Sequence, residues 1–276
     1  MSLAEIDTLL EHVPDRDVTA QGNTGQRLRL LSFNIQTGIS TSRYRHYLTH
    51  SWKHVLPHAT RFHNLDRIAR LVGQYDLAGL QEVDAGSLRC GFINLTEYIA
   101  QRAEFPFWYD QTNRRIGQFA RHALGVVSRY QCHEIIEHRL PGPIAGRGAL
   151  SLRFGQGEES LLLLIIHLAL GRRARLQQLD YLSELVNARR HVILMGDMNF
   201  PSDSREMGHF IERTLLTEPV HGLHTFPSWR PNRNIDHILV SPTLQVDCIR
   251  VLNYPISDHL PIAMDLTLPA SLRLSA

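Results

Sequence analysis

The sequence predicts an α/β protein. Three observations lead there: short, strongly apolar runs recur along the chain (28–35, 76–84, 161–166, 191–195), segments with helical spacing of apolar residues lie between them, and several runs end on an acid, an amide or a histidine. The chain has 276 residues, 43% of them hydrophobic and 20% charged, which suits one large α/β domain or two smaller ones with a sizeable core.

In chain order, residues 2–13 read as a short helix, with Ser2 and Glu5 at capping-box spacing and Leu3, Ile6, Leu9, Leu10 and Val13 on one face. The polar stretch 15–26 reads as a linker. Residues 1–26 are thus expected to precede a functional domain over 27–270. The run 28–35 is a strand ending near Asn34. From 38 to 63 a simple strand-to-helix connection is interrupted by His46, His50, His54 and His58 among Arg43, Arg45, Lys53, Arg61 and aromatic residues, with no acid between 38 and 62. Pro57 and the drift of a four-residue spacing around a helix argue against a metal site there, so this is an inserted basic, aromatic loop suited to a phosphorylated ligand.

A helix is expected from an Asn64 cap to about 74, then a strand carrying Glu82, then a second helix capped by Asn94 with Glu97. Strands follow at 123–128, 132–140, 148–154 and 161–166, the last running into His167, with Gly142, Gly146 and Gly148 as turn residues. After a helix opened by Gly171, the run 191–195 leads into Gly196-Asp197-Met198-Asn199. Alternation along an extended chain places Asp197 and Asn199 on one side, and Gly196 leaves room for a ligand to approach the backbone. By itself Gly-Asp-x-Asn is also turn chemistry. A helix over 202–216, strands over 234–240 and 245–252, the loop Ser257-Asp258-His259 and a last strand over 262–268 complete the chain.

Composition excludes several functions. Apolar runs reach six residues at most, far short of a membrane span, and no basic-then-apolar leader opens the sequence, so the expectation is a cytoplasmic protein without a transmembrane segment. Cys90, Cys132 and Cys248 form no CxxC pair and suggest neither disulfides nor structural zinc. A net charge of +2 weakly disfavours nonspecific nucleic-acid binding. Lys53 is the one lysine and lies outside any Gly-Lys-Ser/Thr pattern, which excludes a Walker-type nucleotidase.

The strand ends together offer Asn34, Glu82, His167, Asp197, Asn199, Asp236, Asp258 and His259. Glu82, Asp197, Asp258 and Asn34 could form an oxygen-rich site for Mg²⁺ or Mn²⁺. The histidines add acid/base capacity, and Asp236 could orient His259 through its second nitrogen. That inventory fits hydrolytic phosphoryl transfer. It lacks the clustered ligands of a zinc enzyme and the Gly-x-Ser-x-Gly elbow of a serine hydrolase.

The series Phe33-Asn34, Leu80-Gln81-Glu82-Val83, His167-Leu168, Gly196-Asp197-Met198-Asn199, Asn234-Ile235-Asp236-His237-Ile238 and Ser257-Asp258-His259-Leu260-Pro261 resembles, in order and spacing, the endonuclease/exonuclease/phosphatase superfamily, over roughly residues 28–268. The resemblance implies a four-layer α/β/β/α sandwich, two mixed β-sheets with outer helices, as in deoxyribonuclease I. It also implies Glu82 as main metal ligand with Asn34 and Asp258, Asp197 acting on the attacking water, Asn199 and His167 on the scissile phosphate, and Asp236 with His259 as an acid/base dyad. His122, standing where many members carry an asparagine, takes a substrate-binding role. The N-terminal helix and the 38–63 insertion lie outside the pattern, so substrate contacts do not transfer. The expected partner is a phosphate ester, whether a phospholipid head group, a small phosphoester or a nucleic acid, cleaved with Mg²⁺ or Mn²⁺ and without a stable protein partner. The competing reading is a noncatalytic scaffold on the same fold, which would have no chemical need for carboxylates crowded at strand ends.

Overall fold

The computed structural model describes residues 25–38, 59–142 and 146–276; the expected N-terminal helix, most of the linker, and His46, His50, His54 and His58 lie outside the described residues. Among the described residues, eleven strands form two sheets. The first sheet takes β1 (Arg27–Asn34), β2 (Leu77–Asp84), β3 (Phe107–Ile116), β4 (Ala120–Ser128), β10 (Gln245–Val251) and β11 (Ile262–Thr267), in the order β10-β11-β1-β2-β4-β3. The second takes β5 (Glu134–Arg139), β6 (Gly148–Phe154), β7 (Leu161–His167), β8 (His191–Asp197) and β9 (Asp236–Val240), in chain order. Both are mixed: β1 runs parallel to β2 and β7 to β8, while the other pairings are antiparallel.

Alternation along the strands builds four layers. In β1, Leu28 and Leu30 face a core shared with Leu163 and Ile165 of β7 and Ile193 and Met195 of β8, so that core lies between the sheets. Leu31 and Phe33 face the other way, onto Leu65 and Ile68 of α1 (Ala59–Val72) and Leu95 and Ile99 of α2 (Leu95–Arg102). On the far side, Leu164, Ile166 and Leu194 pack on Leu179 and Leu182 of α3 (Arg172–Asn187) and Phe210 of α4 (Arg205–Arg213). The α/β/β/α sandwich is therefore the one the sequence resemblance implies. Beyond β11 the chain runs on to Leu272 and Leu274, which are buried in the central core, while Gln26 hydrogen-bonds the backbone of Leu274.

Some elements differ from expectation for visible reasons. Strand β3 reads Phe-Trp-Tyr-Asp-Gln-Thr-Asn-Arg-Arg-Ile, and as a sheet-edge strand with a largely exposed far half it carries no apolar alternation to betray it. Asn64 is not a cap: α1 begins at Ala59, and the buried Asn64 carboxamide donates to the Gly38 carbonyl instead. Asn94 does cap α2, accepting from the N–H groups of Thr96 and Glu97. Helix α4 is shorter than expected because Ser204, accepting from Met207 N–H, starts it after a loop.

Candidate active site

The parallel strands β7 and β8 end side by side, so His167 pairs in register with Asp197, and Asp197 in turn lies opposite Asp236 at the start of antiparallel β9. Across the sandwich, β1 ends at Asn34, whose Nδ2 donates to Oδ2 of Asp197 at 3.2 Å. One hydrogen bond thus joins the ends of the two sheets. His167 Nε2 is 3.4 Å and His259 Nε2 4.0 Å from the same carboxylate oxygen, and Asp197 is 2% exposed.

Backbone irregularities set the aim of two side chains. Glu82 sits at φ 55 where the pairing of β2 with β4 slips between Leu80 and Val83, and this bulge turns Glu82 toward His167, with Oε1 4.0 Å from Nε2. Asn199 has φ 59, so the extended alternation expected to place it beside Asp197 stops at the strand end. The two residues still meet, but through a turn: Asn199 N–H donates to Oδ1 of Asp197 at 3.0 Å, and Asn199 Nδ2 donates to the Leu168 carbonyl. Gly196 also differs in its reason. A Cβ there would come 2.0 Å from the Ile166 carbonyl oxygen, so it is strand β7, rather than a ligand, that demands glycine.

His259 Nδ1 donates to Oδ2 of Asp236 at 2.8 Å, and that carboxylate also accepts from the Thr225 hydroxyl. The segment carrying Thr225 straps the histidine loop down: Leu260 N–H donates to the Thr225 carbonyl, Ser228 N–H to the Asp258 carbonyl, and the Phe226 ring lies 4.9 Å from that of His259. Asp258 is 5% exposed and accepts from Ser257 Oγ. The neighbouring His237 faces away from this cleft, onto Glu218 and the Phe200 carbonyl.

The charges are unevenly balanced. Glu82, Asp197, Asp236 and Asp258 converge, with His259 and Arg147 as the cationic groups acting on them. Burial, then the charges of Asp236 and Glu82, push the Asp197 carboxyl up to about 7 against the pull of His259 and Arg147. Loss of water and the Asp258 charge also raise Glu82. Burial disfavours the His259 imidazolium, yet Asp236, Asp197 and Asp258 outweigh it and hold that group near about 10. His167 is kept well below 6.5 by burial and by Arg147, whose guanidinium lies against both ring nitrogens, 2.9 Å from Nδ1 and closer still to Nε2, so the ring is neutral beside Asp197. A carboxylate set short of positive charge, with hard oxygen donors, fits a divalent cation. Asp197, Asp236 and His259 each place one ligand atom within 4.8 Å of the others.

His122, on β4, lines a cavity of about 160 Å³ together with Glu82, His167, Asn113, Arg114 and Arg147. Burial and the charge of Arg89 lower its pKa to about 4, so it is neutral there. Arg114, Arg147 and Thr225 escaped the sequence reading. Arg147 had a signal: Gly148 pairs in register with His167, so the residue before antiparallel β6 opens at the same sheet edge as the residue ending β7.

These features define a two-sheet sandwich with an acidic, histidine-flanked cleft at its strand ends. Residues 31–259 match the model of the endonuclease/exonuclease/phosphatase family, and the chain belongs to that family, whose members are hydrolases acting on phosphoester bonds and are generally divalent-metal-dependent. Among solved structures it is similar to an endonuclease/exonuclease/phosphatase from Beutenbergia cavernae (20% identity, TM-score 0.68, covering 88% of this chain and 72% of that one). It is also similar to a mannosyl-6-phosphatase from Bacteroides thetaiotaomicron (18% identity, TM-score 0.63, 87% of this chain and all of that one) and to a humanized TDP2 from D. rerio (17% identity, TM-score 0.61, 87% and 99%). At such identities the likeness speaks for the fold. No match was found among curated proteins. Among the described residues no helix is long and apolar enough to cross a membrane.

Proposed function

We propose that this protein is a Mg²⁺- or Mn²⁺-dependent phosphoesterase that cleaves its substrate by attack of water on phosphorus. The observation that carries the reading is the position of Asp197 Oδ2, which faces Asn34, His167 and His259 at once. Glu82, Asn34 and Asp258 would hold the cation, which polarises a phosphoryl oxygen and stabilises the departing one. Asp197 orients the attacking water and accepts its proton. His259, fixed through Nδ1 by Asp236, presents Nε2 to a phosphoryl oxygen, its 4.0 Å distance from Asp197 being beyond a direct hydrogen bond and leaving that nitrogen for the substrate. His167 and the second Nδ2 proton of Asn199 donate to the same phosphate, and neutral His122 contacts the substrate from β4.

Hydrolysis of bis(p-nitrophenyl) phosphate tests the reading. Purified protein should turn it over with Mg²⁺ or Mn²⁺, lose turnover in EDTA and regain it on adding metal. Substitution of Asp197 or His259 by alanine should lower kcat by about 10²–10⁴ with the fold intact. Turnover that persists in EDTA, or full activity in both variants, would sink the proposal.

A further inference from the structure

The catalytic cavity shares two of its walls with a larger one. A pocket of about 610 Å³ lies beside it, and Arg114 and Arg147 line both. The larger pocket adds Arg173, from the first turn of α3; its remaining wall is largely small and apolar, with Ala169, Leu170 and Ala174, and among the described residues no acid lines it. Arg114 and Arg173 are exposed, and neither makes a salt bridge or side-chain hydrogen bond to another described residue. Three guanidinium groups around one concavity repel one another unless an anion lies between them, and arginine suits the paired oxygens of phosphate. Helix α3 opens at Gly171, also in the wall, without a side-chain cap, so its first-turn N–H groups add donors at the pocket mouth. Gln178 belongs to the framework, accepting from Ala169 N–H and donating to the Pro141 carbonyl. Leu170, 74% exposed, stands at the rim.

Arg147 is the hinge between the two spaces. Its guanidinium meets His167, and the same residue lines the larger pocket. A ligand whose ester phosphate is held by His167 in the smaller cavity would therefore reach, past Arg147, the arginine side of the larger one.

We propose that this pocket binds a second phosphate group of the substrate, distinct from the ester that is cleaved. The inference rests on the phosphoesterase reading above for the place of the first phosphate. It narrows the substrate class to bisphosphorylated molecules, soluble or presented as a lipid head group.

The test compares ligands that differ by one phosphate, in EDTA so that nothing is turned over. One arm titrates myo-inositol 1-phosphate and 1,4-bisphosphate by calorimetry. The other measures binding to phosphatidylcholine vesicles doped with phosphatidylinositol or with phosphatidylinositol 4-phosphate. In at least one arm the second phosphate should tighten binding about tenfold or more, and Arg173→Gln and Arg114→Gln should each narrow that gap. The arm that shows the gap names the source of the ligand. A gap in neither arm, or one that both variants leave intact, overturns the proposal. Bis(p-nitrophenyl) phosphate, which has no second phosphate, separates the two readings: a wild-type protein that cannot hydrolyse it yet keeps the binding gap has lost the phosphoesterase assignment and kept the pocket.

Discussion

Nδ1 of His259 and Oδ2 of Asp236 lie 2.8 Å apart in a site where both side chains are almost wholly buried, so the imidazole is held in one orientation and its outward nitrogen is Nε2. Replacing the carboxylate by a carboxamide keeps the shape and removes the charge. Asp236→Asn should lower kcat by about 10²–10⁴, as loss of an orienting acid does elsewhere. A pH profile distinguishes this from simple misfolding. His259 is held near about 10 chiefly by the carboxylates around it, so its cationic form persists through neutral pH and is lost only as pH rises toward that value. In Asp236→Asn the alkaline fall of kcat should begin at lower pH. An unchanged alkaline limb would mean that Asp236 does not set the charge of His259.

The excess of carboxylates ties metal binding to protons. Burial pushes the Asp197 carboxyl up to about 7, and Glu82 is raised as well, so a cation entering beside them competes with protons. Affinity for Mn²⁺ in the absence of substrate should therefore rise as pH increases through about 7, with proton release detectable by calorimetry in buffers of different ionisation enthalpy. Bound metal should also raise the melting temperature, because it binds the folded chain and not the unfolded one. Affinity that is flat with pH would show that these carboxyls do not take part.

The sequence discloses the part of this site that sits where apolar strands stop. His167 and Asp197 follow runs of buried aliphatic residues and Asn34 a buried, mostly apolar one, and the change from apolar to polar is readable without coordinates. Residues at the beginnings of antiparallel strands open on the same edge but carry no such contrast. Arg147 lies within a glycine-rich turn and Arg114 near the exposed end of β3, so neither is announced by what precedes it. The aim of Glu82 was hidden for another reason: it depends on a bulge, and nothing in Leu-Gln-Glu-Val marks a left-handed residue. Thr225 is brought to Asp236 by a long loop that sequence spacing does not foretell.

Gly196 offers a test of the fold beneath the site. Its φ of 147 and the carbonyl of Ile166, 2.0 Å from where a Cβ would be, leave no space for a side chain between β7 and β8. Gly196→Ala should cost about 1–3 kcal/mol or more, read as a lower urea midpoint. Because β7 and β8 carry His167 and Asp197, it should also reduce turnover more than its loss of stability alone would. A variant with wild-type stability would contradict the packing described between these strands.

Glu218 supplies a pH dependence of stability away from the catalytic cleft. Its side chain is 4% exposed and accepts from His237 Nδ1 at 2.6 Å, His221 Nδ1 at 2.7 Å and Ser202 Oγ at 2.9 Å. Burial alone would raise its pKa, but those hydrogen bonds outweigh burial and lower it below 4.5. A carboxyl depressed in the folded state stabilises above its unfolded pKa, and that contribution is lost as pH falls through the folded value. Glu218→Gln should therefore be less stable than wild type by about 1–3 kcal/mol near neutral pH, where a charge-assisted hydrogen-bond acceptor is lost. The difference should shrink once pH drops below about 4.5, where the wild-type carboxyl begins to take up its proton. Urea unfolding of both proteins across that range measures it, and a difference that stays constant with pH would mean that the ionised carboxylate is not what holds His237 and Ser202 in place.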